Sequence, residues 1–296
     1  MLNHKKIIFG ILGGLFLLNV FAWIAVYQLS QDKFLQVNFF DVGQGDSVFI
    51  ETPTRQQILI DGGPGSIILD KLAKTLPFYD RSIDLMVLTH PEQDHLSGLL
   101  EVLKRYRVEN ILWTGIKRDT AEYKEWLKLI EEEKTEDGAQ IKIAQSGQRI
   151  MLCGLQRNVL CNLDIIYPFE SLEGEVFEDS NNTSIILRLL FGENSFLFTG
   201  DIYKSAEKKL IERDLEIKSD VLKISHHGSK TSSGEEFIEE VSPEIAVISL
   251  SKDNKYGHPH QEVLDTLEKY GITVLRTDKQ GDIKIISDGN KYKIKK

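Results

Sequence analysis

Cysteine is scarce in this chain: two in 296 residues, alongside seven prolines and three methionines. A disulfide-dense mini-scaffold is thereby excluded. No Cys-x-x-Cys clamp exists, so a cysteine-built zinc module is excluded too. There is no internal repeat and no Pro- or Ser-rich linker, which argues against tandem arrays and strings of small domains. Positive charge is also short. Lys plus Arg number 36 against 45 Asp plus Glu, a net charge of −9. A sequence-blind nucleic-acid coat needs clustered cations, and they are absent here. An enzyme that handles a phosphodiester through bound metal does not need them. Hydrophobic content of 41 % and charged content of 27 % are ordinary for a folded protein and rule out disorder.

What is present begins with one long apolar run. Ile7 to Leu29 is 23 residues without a charge. As a helix it spans about 34 Å, against a bilayer core of about 30 Å. Lys5 and Lys6 precede it, and Trp23 and Tyr27 fall where an interfacial aromatic belt belongs. The positive-inside rule then keeps residues 1–6 in the cytoplasm and exports everything after Leu29. A cleaved signal peptide is the rival, but its apolar core is usually about 7–15 residues. The expected organisation is a cytoplasmic tail (1–6), a single transmembrane anchor in the cytoplasmic membrane (7–29), a tether (30–36) and one exported domain (37–296). Beyond Leu29 the basic count is 34 and the acidic count 45, so that part carries −11. One such helix cannot by itself build a transport channel. Cys153 and Cys161 flank an expected hairpin. An exported domain permits them to pair, and two buried thiols serve equally well.

In the exported part, short apolar runs read as strands: 35–41, 47–51, 57–60, 85–89 and 110–113, then 140–144, 165–167, 185–191, 195–198, 221–225, 245–249, 273–276 and 283–286. Amphipathic stretches at 96–107, 120–133, 203–213 and 261–270 read as helices. Strands and helices in both halves predict an α/β fold, two mixed sheets packed together with helices outside, an αββα sandwich.

The unusual residues fall at strand ends. Apolar runs lead into Asp41-Val42-Gly43-Gln44-Gly45-Asp46-Ser47, Asp61-Gly62-Gly63 and Thr89-His90-Pro91-Glu92-Gln93-Asp94-His95. Others lead into Thr199-Gly200-Asp201, Ser225-His226-His227-Gly228-Ser229 and Tyr256-Gly257-His258-Pro259-His260. Six of the seven histidines lie in these segments. Sites in α/β proteins collect beyond the carboxyl ends of strands. Taken singly, each segment is explained as well by a strand end, a helix cap or a turn. Their recurrence is not. His90, Glu92, Asp94 and His95 are four ligand-type side chains within six residues, and Asp201 adds a carboxylate able to bridge two cations. Asp61 reads as an outer partner that fixes a ligand histidine's tautomer.

These motifs, with Asn181-Asn182-Thr183-Ser184 and Arg276-Thr277-Asp278, resemble the metallo-β-lactamase superfamily and, more closely, the hydrolase domain of ComEC-type competence proteins. The likeness covers about residues 35–290. It implies an αββα fold with a dinuclear site of zinc or manganese, held by His90, Asp94, His95, Asp201 and His226, Asp201 bridging. His227 is the alternative to His226. The superfamily's first motif is HxHxDH; here Glu92 replaces the second histidine as a ligand. A further ligand histidine is missing before Asp201, where Asn182 stands as an alternative. The multi-helix permease and oligonucleotide-binding regions of ComEC-type proteins are not found in these residues.

The expected activity is that of a membrane-anchored, extracytoplasmic phosphodiesterase or nuclease, with DNA a candidate substrate. Metal-bound hydroxide would attack phosphorus, and Asp94 and Asp201 would carry the catalytic centre. Lys223, Ser229, Lys230, His258 and His260 are candidate phosphate contacts. A cell-envelope esterase or lactonase on the same site is the second expectation, and a non-catalytic scaffold of the same fold is the third.

Overall fold

In the computed structural model, which describes residues 2–30, 34–153 and 159–295, the apolar run folds as one helix, α1 (Leu2–Ser30). Its window Lys6–Trp23 has a mean hydropathy of 1.9, and none of it is buried. It is long and apolar enough to cross a membrane. The helix takes in residues 2–6, expected as a tail, and Ser30 closes it. Residues 31–33 of the expected tether, and the side chains of Lys5 and Tyr27, lie outside the described residues. Residues 1–33 and 34–296 are separate compact units.

The globular unit runs β1 (Leu35–Phe39), β2 (Val48–Glu51), β3 (Gln57–Ile60), α2 (Ile67–Thr75), β4 (Ser82–Ile83), β5 (Leu85–Val87), α3 (Gln93–Leu103), β6 (Arg107–Val108), β7 (Asn110–Trp113), α4 (Ala121–Glu132) and β8 (Gln140–Ile143). It continues β9 (Arg149–Met151), β10 (Cys161–Tyr167), β11 (Ile186–Phe191), β12 (Asn194–Phe198), α5 (Lys204–Glu212), β13 (Val221–Lys223), α6 (Glu235–Val241), β14 (Ile245–Ile248), α7 (Gln261–Lys269), β15 (Thr273–Arg276), α8 (Thr277–Gln280), β16 (Ile283–Ser287) and β17 (Tyr292–Lys295).

Two mixed sheets form. The first has the order β17-β16-β1-β2-β3-β5-β7-β8, antiparallel as far as β3 and parallel beyond it. The second has the order β15-β14-β13-β12-β11-β10-β9, parallel from β15 to β12 and antiparallel to β9. Alternation along each strand gives each sheet two apolar faces. Val37, Phe39 and Ile58 meet Leu187, Phe196 and Phe198 between the sheets. The rings of Phe39 and Phe198 lie 6.1 Å apart across that seam. On the outer faces Phe49, Leu59 and Met86 pack under α2, α3 and α4, and Leu197, Leu222 and Ala246 under α5, α6 and α7. This is the expected αββα sandwich.

Three differences bear on the site. The helix expected from Leu96 starts at Gln93, so Asp94 and His95 sit on its first turn rather than in a loop. The last strand pair, β16 and β17, returns to the first sheet and pairs with β1, Leu35 opposite Ser287. The elements α2, α6, α8, β4, β6, β9 and β17 were not expected; all but α2 span seven residues or fewer, too few to show a period. Cys153 and Cys161 are disulfide-bonded, with Cα atoms 5.4 Å apart; the residues of the expected hairpin between them, 154–158, lie outside the described ones.

Candidate metal centre

The backbone explains how the strand ends converge. Asp61 follows β3 with φ of +57°, a left-handed turn that carries its carboxylate under α3. Thr89 N and Thr89 Oγ1 both donate to that carboxylate, at 2.8 and 2.7 Å. Gly62 has an ordinary φ, and its requirement is packing. A Cβ there would strike the backbone of Gly98 and Leu99, and one on Gly98 would strike Gly62 O. The loop therefore lies directly against α3, with Gly62 N donating to His95 O at 2.8 Å. After β13, His226 and His227 are both left-handed, with φ of 49° and 55°. A non-glycine residue in that region costs roughly 1–2 kcal/mol.

Four side chains meet where these segments converge. One ligand atom each from Asp94, His95, Asp201 and His227 lies within 4.8 Å of the others. His95 Nε2 and His227 Nε2 are each 3.4 Å from Asp201 Oδ2, and His227 Nε2 is 3.3 Å from Asp94 Oδ2. His227, not the preferred His226, belongs to this group. His226 Nε2 is 3.9 Å from Asp201, and its ring is half-buried against Tyr203. The strained turn sends the second imidazole inward and the first toward solvent.

Outer partners set each ring's tautomer. His95 Nδ1 donates to Asp61 Oδ2 at 2.8 Å, as expected of Asp61. His227 Nδ1 donates to the Ser249 carbonyl at 2.8 Å and lies 3.3 Å from Asp46 Oδ1. His90 Nδ1 faces the hydroxyls of Thr89 and Ser184 at 3.0 and 3.1 Å. Both hydroxyls spend their protons elsewhere, on Asp61 and on the Asn181 carbonyl, so both accept from His90 Nδ1. Each of the three rings thus keeps Nε2 for the site. The Nε2 atoms of His90, His95 and His227, and Asp201 Oδ1, are buried with no hydrogen-bond partner among the described residues.

The electrostatics match. Burial opposes charge on His95, yet Asp201, Asp61 and Asp94 push it well above the ordinary histidine range. His227 follows the same pattern, burial being outweighed by Asp201 and Asp46. Burial also acts against the Asp201 carboxylate, but His227 and His95 hold it well below the usual range. Burial and the His95 charge push His90 down to about 3. The carboxylates therefore demand positive charge at their focus. Two imidazoles and two carboxylates are a donor set that suits zinc or manganese; the residues present fit a divalent ion.

Other expected site residues stand elsewhere. Glu92, expected as a ligand, accepts from Arg118 Nη2 at 2.7 Å and from Ser180 Oγ. Asn182 is turned away, its side chain joined to Tyr203 N and Ser205 Oγ. Lys223, expected at phosphate, is 2 % exposed and paired with Asp46; the buried carboxylate claims it. Ser229 Oγ pairs with Thr231 Oγ1 at 2.9 Å. Lys230 is exposed, and its backbone N–H approaches His260 Nδ1 at 3.3 Å. His258 lines the cleft beside Tyr256 and has His260 behind it at 5.0 Å. The cleft is about 370 Å³ and includes Gln44 and Arg118. Arg118 went unnoticed in the sequence although it follows β7 as the other site segments follow their strands. Asp46 lay inside a quoted motif, and only its burial reveals its partners.

Comparison with known proteins accords with this geometry. The family model described as the metallo-beta-lactamase superfamily matches residues 40–252. ComE operon protein 3 of Bacillus subtilis is 34 % identical over 265 residues, covering 84 % of this chain and 32 % of that protein. Competence protein ComA of Neisseria gonorrhoeae is 30 % identical over 248 residues, covering 83 % of this chain and 31 % of the relative. Recombination protein 2 of Haemophilus influenzae is 27 % identical over 290 residues, with 96 % and 32 % covered. The chain thus spans about a third of the length of the curated relatives it matches. Among solved structures, Igni18, a metallo hydrolase from the archaeon Ignicoccus hospitalis, aligns with a TM-score of 0.51 at 15 % identity, covering 85 % of this chain and 98 % of its own. That likeness concerns the fold.

Proposed function

This chain belongs to the metallo-beta-lactamase superfamily, and from that premise we propose that it is a membrane-anchored, extracytoplasmic, divalent-metal-dependent hydrolase of phosphodiesters, DNA among them. The observation that carries the reading is the four-donor group Asp94, His95, Asp201 and His227, of which Asp94, Asp201 and His227 line an open cleft. A divalent ion held there supplies Lewis-acid polarisation of a phosphoryl oxygen and acidifies water. Asp61 and the Ser249 carbonyl hold His95 and His227 in the tautomer that presents Nε2. Above them His226 and His258 offer imidazoles to a substrate oxygen. His258 is neutral, pushed down to about 4 by burial and by His227 and His226. Neutral rings of this kind can donate to a phosphate oxygen or shuttle a proton from a leaving alcohol.

The competence and recombination relatives support a nucleic-acid substrate, and α1 supports a single-pass anchor. Lys5 and Lys6, at the N-terminal end of α1 ahead of its apolar run, favour an exported domain. The Cys153–Cys161 disulfide favours an oxidising compartment. The test is hydrolysis of bis-nitrophenyl phosphate and of single-stranded DNA by the full chain in detergent, with and without manganese or zinc. Metal-dependent turnover is expected, and Asp201→Ala lowers it by at least about a hundredfold. Turnover unchanged in that variant refutes the reading. Cleavage of esters or lactones in place of phosphodiesters moves the assignment to the second expected substrate class.

A further inference from the structure

Glu92 stands two residues before Asp94, at the N-cap position of α3, and its side chain does not cap the helix. Its carboxylate instead meets Arg118 and Ser180. Arg118 Nη1 donates to the carbonyls of Phe177 and Glu178 at 3.1 and 3.0 Å. Alongside, Gly174 N donates to Gly115 O at 2.9 Å and Lys117 N to Glu175 O at 2.7 Å. The segment 115–118 thus clamps the segment 174–180, with Glu92 closing the clamp from α3. The clamped segment leads directly to Ser184, whose hydroxyl touches His90 and accepts from Asp201 N at 3.0 Å.

The donors on the His90 side are then few. His90 Nε2 and Asp201 Oδ1 are the buried atoms there without partners. The Asn181 Nδ2 donates to Tyr203 OH, and the Asn182 side chain is spent on Ser205 Oγ and Tyr203 N. Drawing Glu92 onto a cation would strip the mostly buried Arg118 guanidinium of its carboxylate. Two donors do not make a tight site for a metal that prefers four or more.

We propose that the centre holds one divalent ion, on Asp94, His95, Asp201 and His227, and that Glu92 is a positioning residue that latches the 174–184 segment beside it through Arg118. The inference rests on the reading of a metal-dependent hydrolase and narrows it. The probe is manganese, titrated by calorimetry into the chelator-treated full chain in detergent, with bound metal counted by elemental analysis. One ion per chain is expected. Glu92→Gln keeps an acceptor oxygen for Arg118 and Ser180, so both count and affinity stay unchanged. Asp94→Asn weakens affinity by more than the roughly 10–100-fold that outer partners cost. Glu92→Ala still holds one ion but loses about tenfold in kcat, which Glu92→Gln restores. Two ions per wild-type chain, or a Glu92→Gln loss equal to that of Asp94→Asn, overturns the single-ion assignment. Equal kcat in Glu92→Ala and Glu92→Gln overturns the latch. A wild-type chain that holds no ion defeats the metal-dependent reading itself, a result distinct from both.

Discussion

Lys223 precedes Ser225-His226-His227 and in sequence has the look of a phosphate contact. Burial decides otherwise, because an amino group at 2 % exposure beside Asp46 is committed to that carboxylate. Asp46 in turn lies 3.3 Å from His227 Nδ1. The pair therefore backs the imidazole that faces the proposed metal position, and neither side chain lines the cleft. Removing one partner of a buried ion pair leaves the other uncompensated, at a cost of about 3–5 kcal/mol. Lys223→Met should lower unfolding stability by that amount in urea titrations, and adding Asp46→Leu should recover much of it. A rise in KM with unchanged stability would instead return Lys223 to the substrate. The choice between His226 and His227 belongs at this scale too. Adjacent identical residues are indistinguishable by type, and only the left-handed turn separates them.

Among the elements, α3 and α6 show how helices serve as mounts. The helix α3 carries Asp94 and His95 on its first turn, and its approach to the Asp61 loop depends on Gly62 and Gly98. Gly98→Ala should destabilise the fold by about 1–3 kcal/mol through overpacking and weaken manganese binding as His95 loses Asp61. Calorimetry and thermal melts test both, and a variant that matches wild type in each removes the packing argument. At α6 the N-terminal amides of Ser233 and Gly234 donate to Glu207 of α5 at 2.6 and 2.8 Å. Burial pushes that carboxyl up to about 7, from an ordinary 4.5. Between these values the folded chain keeps a proton that the unfolded chain has lost. The resulting stability is full below about pH 4.5 and is lost as pH rises through 7, in all about 3 kcal/mol. Glu207→Gln should flatten that slope in unfolding experiments from pH 4.5 to 8; an unchanged slope would show that Glu207 is ionised throughout.

For the whole molecule, the proposed export of the globular unit makes a chemical prediction. Protein from intact cells, acid-quenched and denatured, should carry Cys153 and Cys161 as a disulfide that alkylates only after reduction. Direct alkylation of both thiols would place the domain in a reducing compartment. The sequence by itself determined the fold class, the apolar helix and the strand ends that bear the chemistry, since hydrophobic period and strand-end position are properties of the chain read locally. Asp94, His95 and Asp201, whose ligand atoms gather with that of His227, stood out as candidates for that reason. The tertiary structure alone decided that His227 faces the centre, that Glu92 belongs to Arg118 and Ser180, and that Lys223 belongs to Asp46. Each of those outcomes depends on which partner lies within about 3 Å, and on whether water is excluded there. Such partners come from strands and loops far apart in the chain, so no window of sequence contains them.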